Sequence, residues 1–202
     1  MSEKLFVALS SQKINVLIVG GGRAAYIKLK TFSTKGAQVF VVAKKFLSEF
    51  DEFKTMKNVH ILKKNYEKKY IEKSHIIVIA TDNAELNSTI REDCNNMHKL
   101  YIDCTKPSLG NCITPCQRNT KNIYFGVNTS EVSPKGAVFV ADKMREYAEK
   151  YDDFIEFTFK MRRKMEGNKN RKIVMRFICS EDFYFFYQKG KAKTIIDMFY
   201  GK

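Results

Sequence analysis

The stretch NVLIVGGGRAAYIKLKTF, residues 15–32, constrains the fold more than any other part of the chain. A continuous apolar run, INVLIV over 14–19, stops on three glycines, and helical spacing begins directly after them. A run that is apolar at every position reads as a strand buried on both faces, as strands are in a parallel sheet. The spacing Gly20-x-Gly22-x-x-Ala25 gives each residue a task. Gly20 permits a tight turn, Gly22 leaves its backbone open to a diphosphate, and Ala25 lets the helix pack close to the strand. The first amides and the positive dipole end of the helix favour phosphate at the same point. A glycine turn that serves packing alone is the competing reading. The strand–turn–helix order is the context that a dinucleotide fingerprint requires.

The pattern repeats. AAYIKLKTFSTKG (24–36) has helical spacing and closes on Gly36, and AQVFVVA (37–43) is a second buried strand. A polar helical stretch leads to a short strand around VHILKK (59–64), and HIIVIAT (75–81) is the next strand. A helix starts near Asn83 or Ala84 and runs to about Met97, followed by KLYIDCT (99–105) as a fifth strand. This alternation predicts an α/β domain over residues 1–112, a Rossmann-like doubly wound parallel sheet with right-handed crossovers. Then the pattern changes. Residues 111–136 place polar turns around two short β-like pieces, CITPC and IYFGVNT, with a helix to about Lys150. From Tyr151 onward, aromatic and basic residues predict two or more helices, broken at 166–170 and near Gly190.

The end of the second strand bears on the choice of coenzyme. An acid there would bind the adenosine ribose, but VVAKKF carries none and sets Lys44 and Lys45 at the spot. Two ammonium groups suit a 2′-phosphate and hence NADP; solvated lysines in a lysine-rich chain are the equal alternative. Asp82 and Asn83 follow the fourth strand, where both types also suit a helix N-cap.

Thirty-six Lys and Arg against 22 Asp and Glu leave a net charge of +14. Such a field favours a polyanion: nucleic acid, a membrane surface, or a small substrate with many carboxylates or phosphates. No apolar run reaches the roughly 18 residues of a transmembrane helix, and the first residues lack a signal-peptide pattern, so a cytoplasmic protein is expected. Cys94, Cys104, Cys112, Cys116 and Cys179 show neither disulfide nor zinc spacing and are expected to be reduced thiols. His60, His75 and His98 are scattered, and no metal ligand is expected among them.

VLIVGGGRAAYIKLKTF, VFVVAKKF, IATDNAELN, YIDCTKPSLGNCITP and VNTSEVSP occur in order. With them the chain resembles the precorrin-2 dehydrogenase and sirohydrochlorin ferrochelatase family, the amino-terminal module of siroheme synthase. The resemblance runs from about Leu5 to Glu146. It implies NAD as coenzyme, with NADP as the variant suggested by the lysines, and oxidation of the tetrapyrrole precorrin-2 to sirohydrochlorin. In some members ferrous iron is then inserted. It further implies a homodimer built through residues 113–150, with 151–202 as a small helical C-terminal domain. Membrane and nucleic acid are not expected as partners. Precorrin-2 carries eight carboxylates, which gives the positive charge a concrete target.

Carried over by position, Gly20, Gly22, Arg23 and Ala24 meet the coenzyme at the turn. Lys44 and Lys45 meet its adenosine half, and Thr81, Asp82 and Asn83 lie near the carboxyl edge of the sheet. Thr129, Ser133, Lys135 and Lys106, with Arg145, are candidate substrate contacts. The match departs in two places. The family carries an aspartate central to proton handling where Thr105 stands, and a threonine is no base near neutral pH without strong activation. Asp103, two residues earlier on the same face and about 7 Å back, is either a displaced substitute carboxylate or an ordinary polar residue of the strand. Ser130 and Glu131 replace paired glycines.

The departures keep a second expectation open: a diverged, non-catalytic relative that binds a tetrapyrrole or nucleotide in a channelling or regulatory role. A third, a polyanion binder, draws on KMRRKMEGNKNRK and FYFFYQKGKAK, which alternatively form an amphipathic layer with aromatics inward.

Overall fold

A computed structural model describes residues 4–200. The chain divides into two compact units, one ending at Thr114 and the other beginning at Pro115. In the first, β1 (Asn15–Val19), β2 (Gln38–Ala43), β3 (Val59–Lys63), β4 (Ile76–Ile79) and β5 (Leu100–Asp103) form one parallel sheet of order β3-β2-β1-β4-β5. The order reverses at β1, so the crevice for a ligand opens beyond the carboxyl ends of β1 and β4.

Period-two alternation explains why the strands are apolar throughout. Val16 and Ile18 enter a core with Ala25 and Leu29 of α1 (Arg23–Ser33) and with Phe50 and Phe53. Leu17 and Val19 face the other way, toward Ile71 of α2 (Lys69–Glu72) and Ile90 of α3 (Ala84–Asn96). Both faces are covered, so neither tolerates a polar residue. The crossover from β2 to β3 is a 3₁₀ segment, Ser48–Phe53, rather than an α-helix. Its buried phenylalanines close the layer that a longer helix would otherwise cover.

In the second unit β6 (Cys116–Asn119) and β7 (Tyr124–Val127) form an antiparallel hairpin, followed by α4 (Pro134–Glu149). The expected strand CITPC lies too early. Pairing begins only at Cys116, after Pro115, which has no N–H to give a ladder. Helices α5 (Asp152–Lys164), α6 (Arg171–Ile178), α7 (Glu181–Gln188) and α8 (Ala192–Tyr200) complete the unit.

The hairpin turn is gripped from α5. The Asp152 carboxylate accepts from the Thr120 hydroxyl at 2.7 Å and from the backbone N–H of Lys121 and Asn122 at 3.2 and 2.9 Å. Burial works to raise the Asp152 pKa, but these donors outweigh it and hold the carboxyl below its ordinary range. The aromatics of the tail pack inward: Phe154, Val174, Ile178 and Phe183 form its core, with Phe157, Tyr184 and Tyr187 against them. That is an amphipathic layer, although Phe159, Phe185, Phe186 and Phe199 remain exposed.

Candidate functional site

Beyond β1 the backbone turns sharply at Gly20, whose φ of +136° is a conformation that side chains rarely adopt. A Cβ there would lie 2.1 Å from the Ala80 carbonyl oxygen. Gly21 is equally confined, because a Cβ would meet the Lys45 carbonyl oxygen at 2.0 Å. Its own carbonyl accepts from Leu47 N–H at 3.0 Å, so the segment after β2 is clasped to the turn. Gly22 differs: a Cβ there would touch nothing within 4 Å. It caps α1 without any side-chain hydrogen bond, and the first intrahelical bond comes only from Tyr26 N–H. The leading amides of α1 therefore point into open space. Two sealed glycines, one open glycine and an uncapped helix start form a cradle that fits a diphosphate. Ala25 is fully buried, as close helix–strand packing needs.

Arg23 and Ala24, at the first turn of α1, are exposed. The Arg23 guanidinium lies 5.0 Å over the Tyr26 ring, and the Tyr26 hydroxyl donates to Glu52 at 2.7 Å. Lys44 and Lys45 are exposed just past β2. Lys44 shares an open cleft of about 530 Å³ with Lys63, Lys64, Asn65 and Glu67. Lys45 contributes its backbone, which walls Gly21.

The ends of β4 and β5 are built on different principles. Asn83 caps α3 by accepting from Leu86 N–H at 2.9 Å, and Asp82 is exposed. The Thr81 hydroxyl donates to the Asn87 side chain at 2.6 Å, and the Asn87 amide returns a bond to the Thr81 carbonyl at 2.9 Å. The same amide donates to the Thr105 hydroxyl oxygen at 3.4 Å. That hydroxyl donates to Asp103 Oδ1 at 2.7 Å, an oxygen that also accepts the backbone N–H of Thr105 and Lys106, each at 2.8 Å. Asp103 Oδ2 accepts from Arg91 at 2.7 Å.

The Asp103 side chain is wholly buried, which works to raise its pKa; the Lys106 and Thr105 donors, with Arg91, overcome this and keep it below the usual carboxylate value. Thr105 itself is exposed. Thr81, Asn83, Asp103 and Thr105 thus belong to one connected network. Asn87 and Arg91, which carry it, escaped the sequence reading. Asn87 closes the IATDNAELN motif, and its near-complete burial is the clue that periodicity on α3 could have supplied.

In the second unit, Thr129, Ser133 and Lys135 cluster in the loop leading into α4. Thr129 donates its hydroxyl to the Glu131 carbonyl, Ser133 is the α4 N-cap residue without a side-chain cap bond, and Lys135 is exposed. Arg145 lies 3.7 Å from Glu149. Lys106, in the first unit, is exposed. His75 Nδ1 accepts from the Asn15 amide at 3.0 Å, a structural bond at the sheet entrance. All five cysteines are free. No helix of the described residues is long and apolar enough to cross a membrane, and among them no three His, Cys, Asp or Glu residues gather as a metal ion would need.

Comparison with known proteins agrees with this geometry. Residues 7–116 match the family model described as "Putative NAD(P)-binding". The precorrin-2 dehydrogenase of Bacillus subtilis (strain 168) is 28% identical over 152 residues, covering 75% of this chain and 88% of that protein. The siroheme synthase of Psychrobacter sp. (strain PRwf-1) is 28% identical over 130 residues, 64% of this chain, and the chain spans only 26% of its length. The solved structure of SirC, precorrin-2 dehydrogenase, superposes with a TM-score of 0.72 at 20% identity, covering 97% of this chain and 100% of that one, and shares the fold. The match to the family model spans the glycine cradle and all five strands of the parallel sheet, and by it this chain belongs to the NAD(P)-binding family.

Proposed function

We propose that this protein is an NAD(P)-dependent dehydrogenase that oxidises precorrin-2 to sirohydrochlorin in siroheme biosynthesis. The observation that carries the reading is the open cradle at Gly22, in a chain that aligns over 88% of the length of a precorrin-2 dehydrogenase. The coenzyme, when bound, accepts a hydride from the substrate. The chain's residues do the rest. Gly20 and Gly21 fix the turn, and the α1 amides with Arg23 hold the diphosphate.

A proton that leaves the substrate passes to Thr105 Oγ1 while that hydroxyl passes its own to Asp103 Oδ1. The acceptor in this relay is the carboxylate 2.7 Å away, whose lowered pKa makes it a weak base, so the proton it takes must pass on as the substrate is oxidised. Thr105 is the exposed end of the pair, and Asn87 and Arg91 are positioning residues. Lys106, Lys135 and Arg145, with Thr129 and Ser133, are proposed to hold substrate carboxylates. The net charge of +14 supports capture of so acidic a ligand. Iron insertion gains no comparable support.

The protein is further proposed to be a cytoplasmic homodimer. Val140, Met144 and Tyr147 form an exposed stripe at i, i+4, i+7 on α4, flanking the buried Ala137 and Ala141, and Phe139 of the same helix and Tyr124 of β7 are exposed as well. A second copy would cover that stripe. Sedimentation should give a dimer, and Phe139→Asp should shift it toward monomer.

One observation favours the non-catalytic reading: Asp103 already accepts four hydrogen bonds. Anaerobic incubation with precorrin-2 and either oxidised coenzyme separates the two. Formation of reduced nicotinamide, abolished in Thr105→Val without loss of coenzyme binding, supports the enzyme. Absence of turnover in the native chain, regained in Thr105→Asp, supports the alternative.

A further inference from the structure

We propose that the Lys28 ammonium binds a carboxylate of the tetrapyrrole substrate at the carboxyl edge of the sheet, beside Thr105. The inference rests on the dehydrogenase reading above and deepens it by one substrate contact.

Helical spacing makes the position unusual. Ala25, Leu29 and Phe32 carry the apolar stripe of α1 against the sheet. Lys28 stands three residues after Ala25 and four before Phe32, on that same stripe, where packing asks for an apolar residue. Its side chain is partly buried. Long side chains on a helix lean toward its N-terminus, and α1 begins at the carboxyl edge of the sheet. The ammonium ends beside the segment that follows β5. Thr114 Oγ1 accepts from it, and the ionisable groups that act on it are the thiols of Cys104 and Cys112. Cys104 directly precedes Thr105, and its N–H donates to the Ile79 carbonyl at 2.9 Å, which fixes that strand end against β4.

No counter-charge reaches Lys28. Among the described residues it forms no ion pair, and the Thr114 hydroxyl is neutral. Burial pushes both thiols up, so they stay protonated near neutral pH, and burial also lowers the Lys28 pKa. Asp103, the acid at this end of β5, is taken up by its own four donors. A part-buried cation without a partner costs stability that an apolar side chain of the same length would not. A carboxylate that arrives with a ligand offsets that cost and gains charge-assisted bonds. Of the three N–H groups of the ammonium, Thr114 takes one, which leaves two for carboxylate oxygens.

Titration of the full chain with sirohydrochlorin, the proposed product, followed by absorbance, tests this without any turnover. Lys28→Met should weaken sirohydrochlorin binding about tenfold. Coenzyme affinity should be unchanged, and the melting temperature should hold or rise, because an uncompensated charge has gone. Lys28→Gln still donates to Thr114 but carries no charge, and it should show the same loss of sirohydrochlorin. Native affinity for sirohydrochlorin in Lys28→Gln overturns the proposal and reduces Lys28 to its bond with Thr114. A loss of coenzyme affinity as large as the loss of sirohydrochlorin also overturns it. Failure of the native chain to bind sirohydrochlorin overturns the proposed function itself.

Discussion

The two halves of the sheet's carboxyl edge treat charge in opposite ways. At the β4–β5 end the polar groups interlock: Asp103 is buried, takes four donors, and is tied through Thr105 and Asn87 to Thr81. At the β2–β3 end Lys44, Lys63 and Lys64 stand exposed beside a single carboxylate, Glu67, which is bound to Lys69. A satisfied buried network holds geometry. The contrast sets an interlocked half beside a solvent-facing one.

The largest expected effect tests the interlocked half. Asp103→Ala leaves Arg91 and three other donors facing a void and should cost about 3–5 kcal/mol in chemical denaturation. The loss should also depend on pH. The folded-state pKa of Asp103 is lowered, so its contribution is fully present above the unfolded value of about 3.9 and disappears as pH falls through the lower folded value. The stability gap between the native chain and Asp103→Asn should therefore hold from pH 7 to 5 and close only in stronger acid. A gap that closes near neutrality would break the assignment.

The glycines offer the next contrast. Gly21→Ala forces a Cβ against the Lys45 carbonyl and should destabilise by about 1–3 kcal/mol, whereas Gly22→Ala should change stability by less than about 0.5 kcal/mol yet lose coenzyme binding. Thr105→Val removes one of four bonds to Asp103 and should cost about 1 kcal/mol, read by thermal melting. Smallest of all, Lys64→Gln should leave stability within about 0.5 kcal/mol. A larger change would mean that the lysine cleft is part of the framework.

How far these features are legible in the chain itself follows from the range of the contacts that make them. INVLIV and HIIVIAT announce buried parallel strands because both faces of a covered sheet demand apolar residues, and the glycine turn is local to six positions. The 3₁₀ crossover is harder to foresee. Ser48–Phe53 is short, and only the burial of Phe50 and Phe53 shows what it covers. Lys44 draws notice by standing where an acid is expected. Lys63 and Lys64 join it only through register, which no single strand reveals. Arg91 and Asn87 look like ordinary helix-surface residues until α3 is docked beside β4 and β5. The start of β6 is misjudged because CITPC has strand composition, while pairing depends on the partner strand.

The grip of Asp152 on residues 120–122 has a practical side. Limited proteolysis or truncation between 150 and 151, the division suggested by the change in composition, would strip the loop tip of three of its acceptor contacts and release the hairpin to fray. Anyone trimming this protein for crystals or fusion partners should keep the first turn of α5 attached to the strands before it.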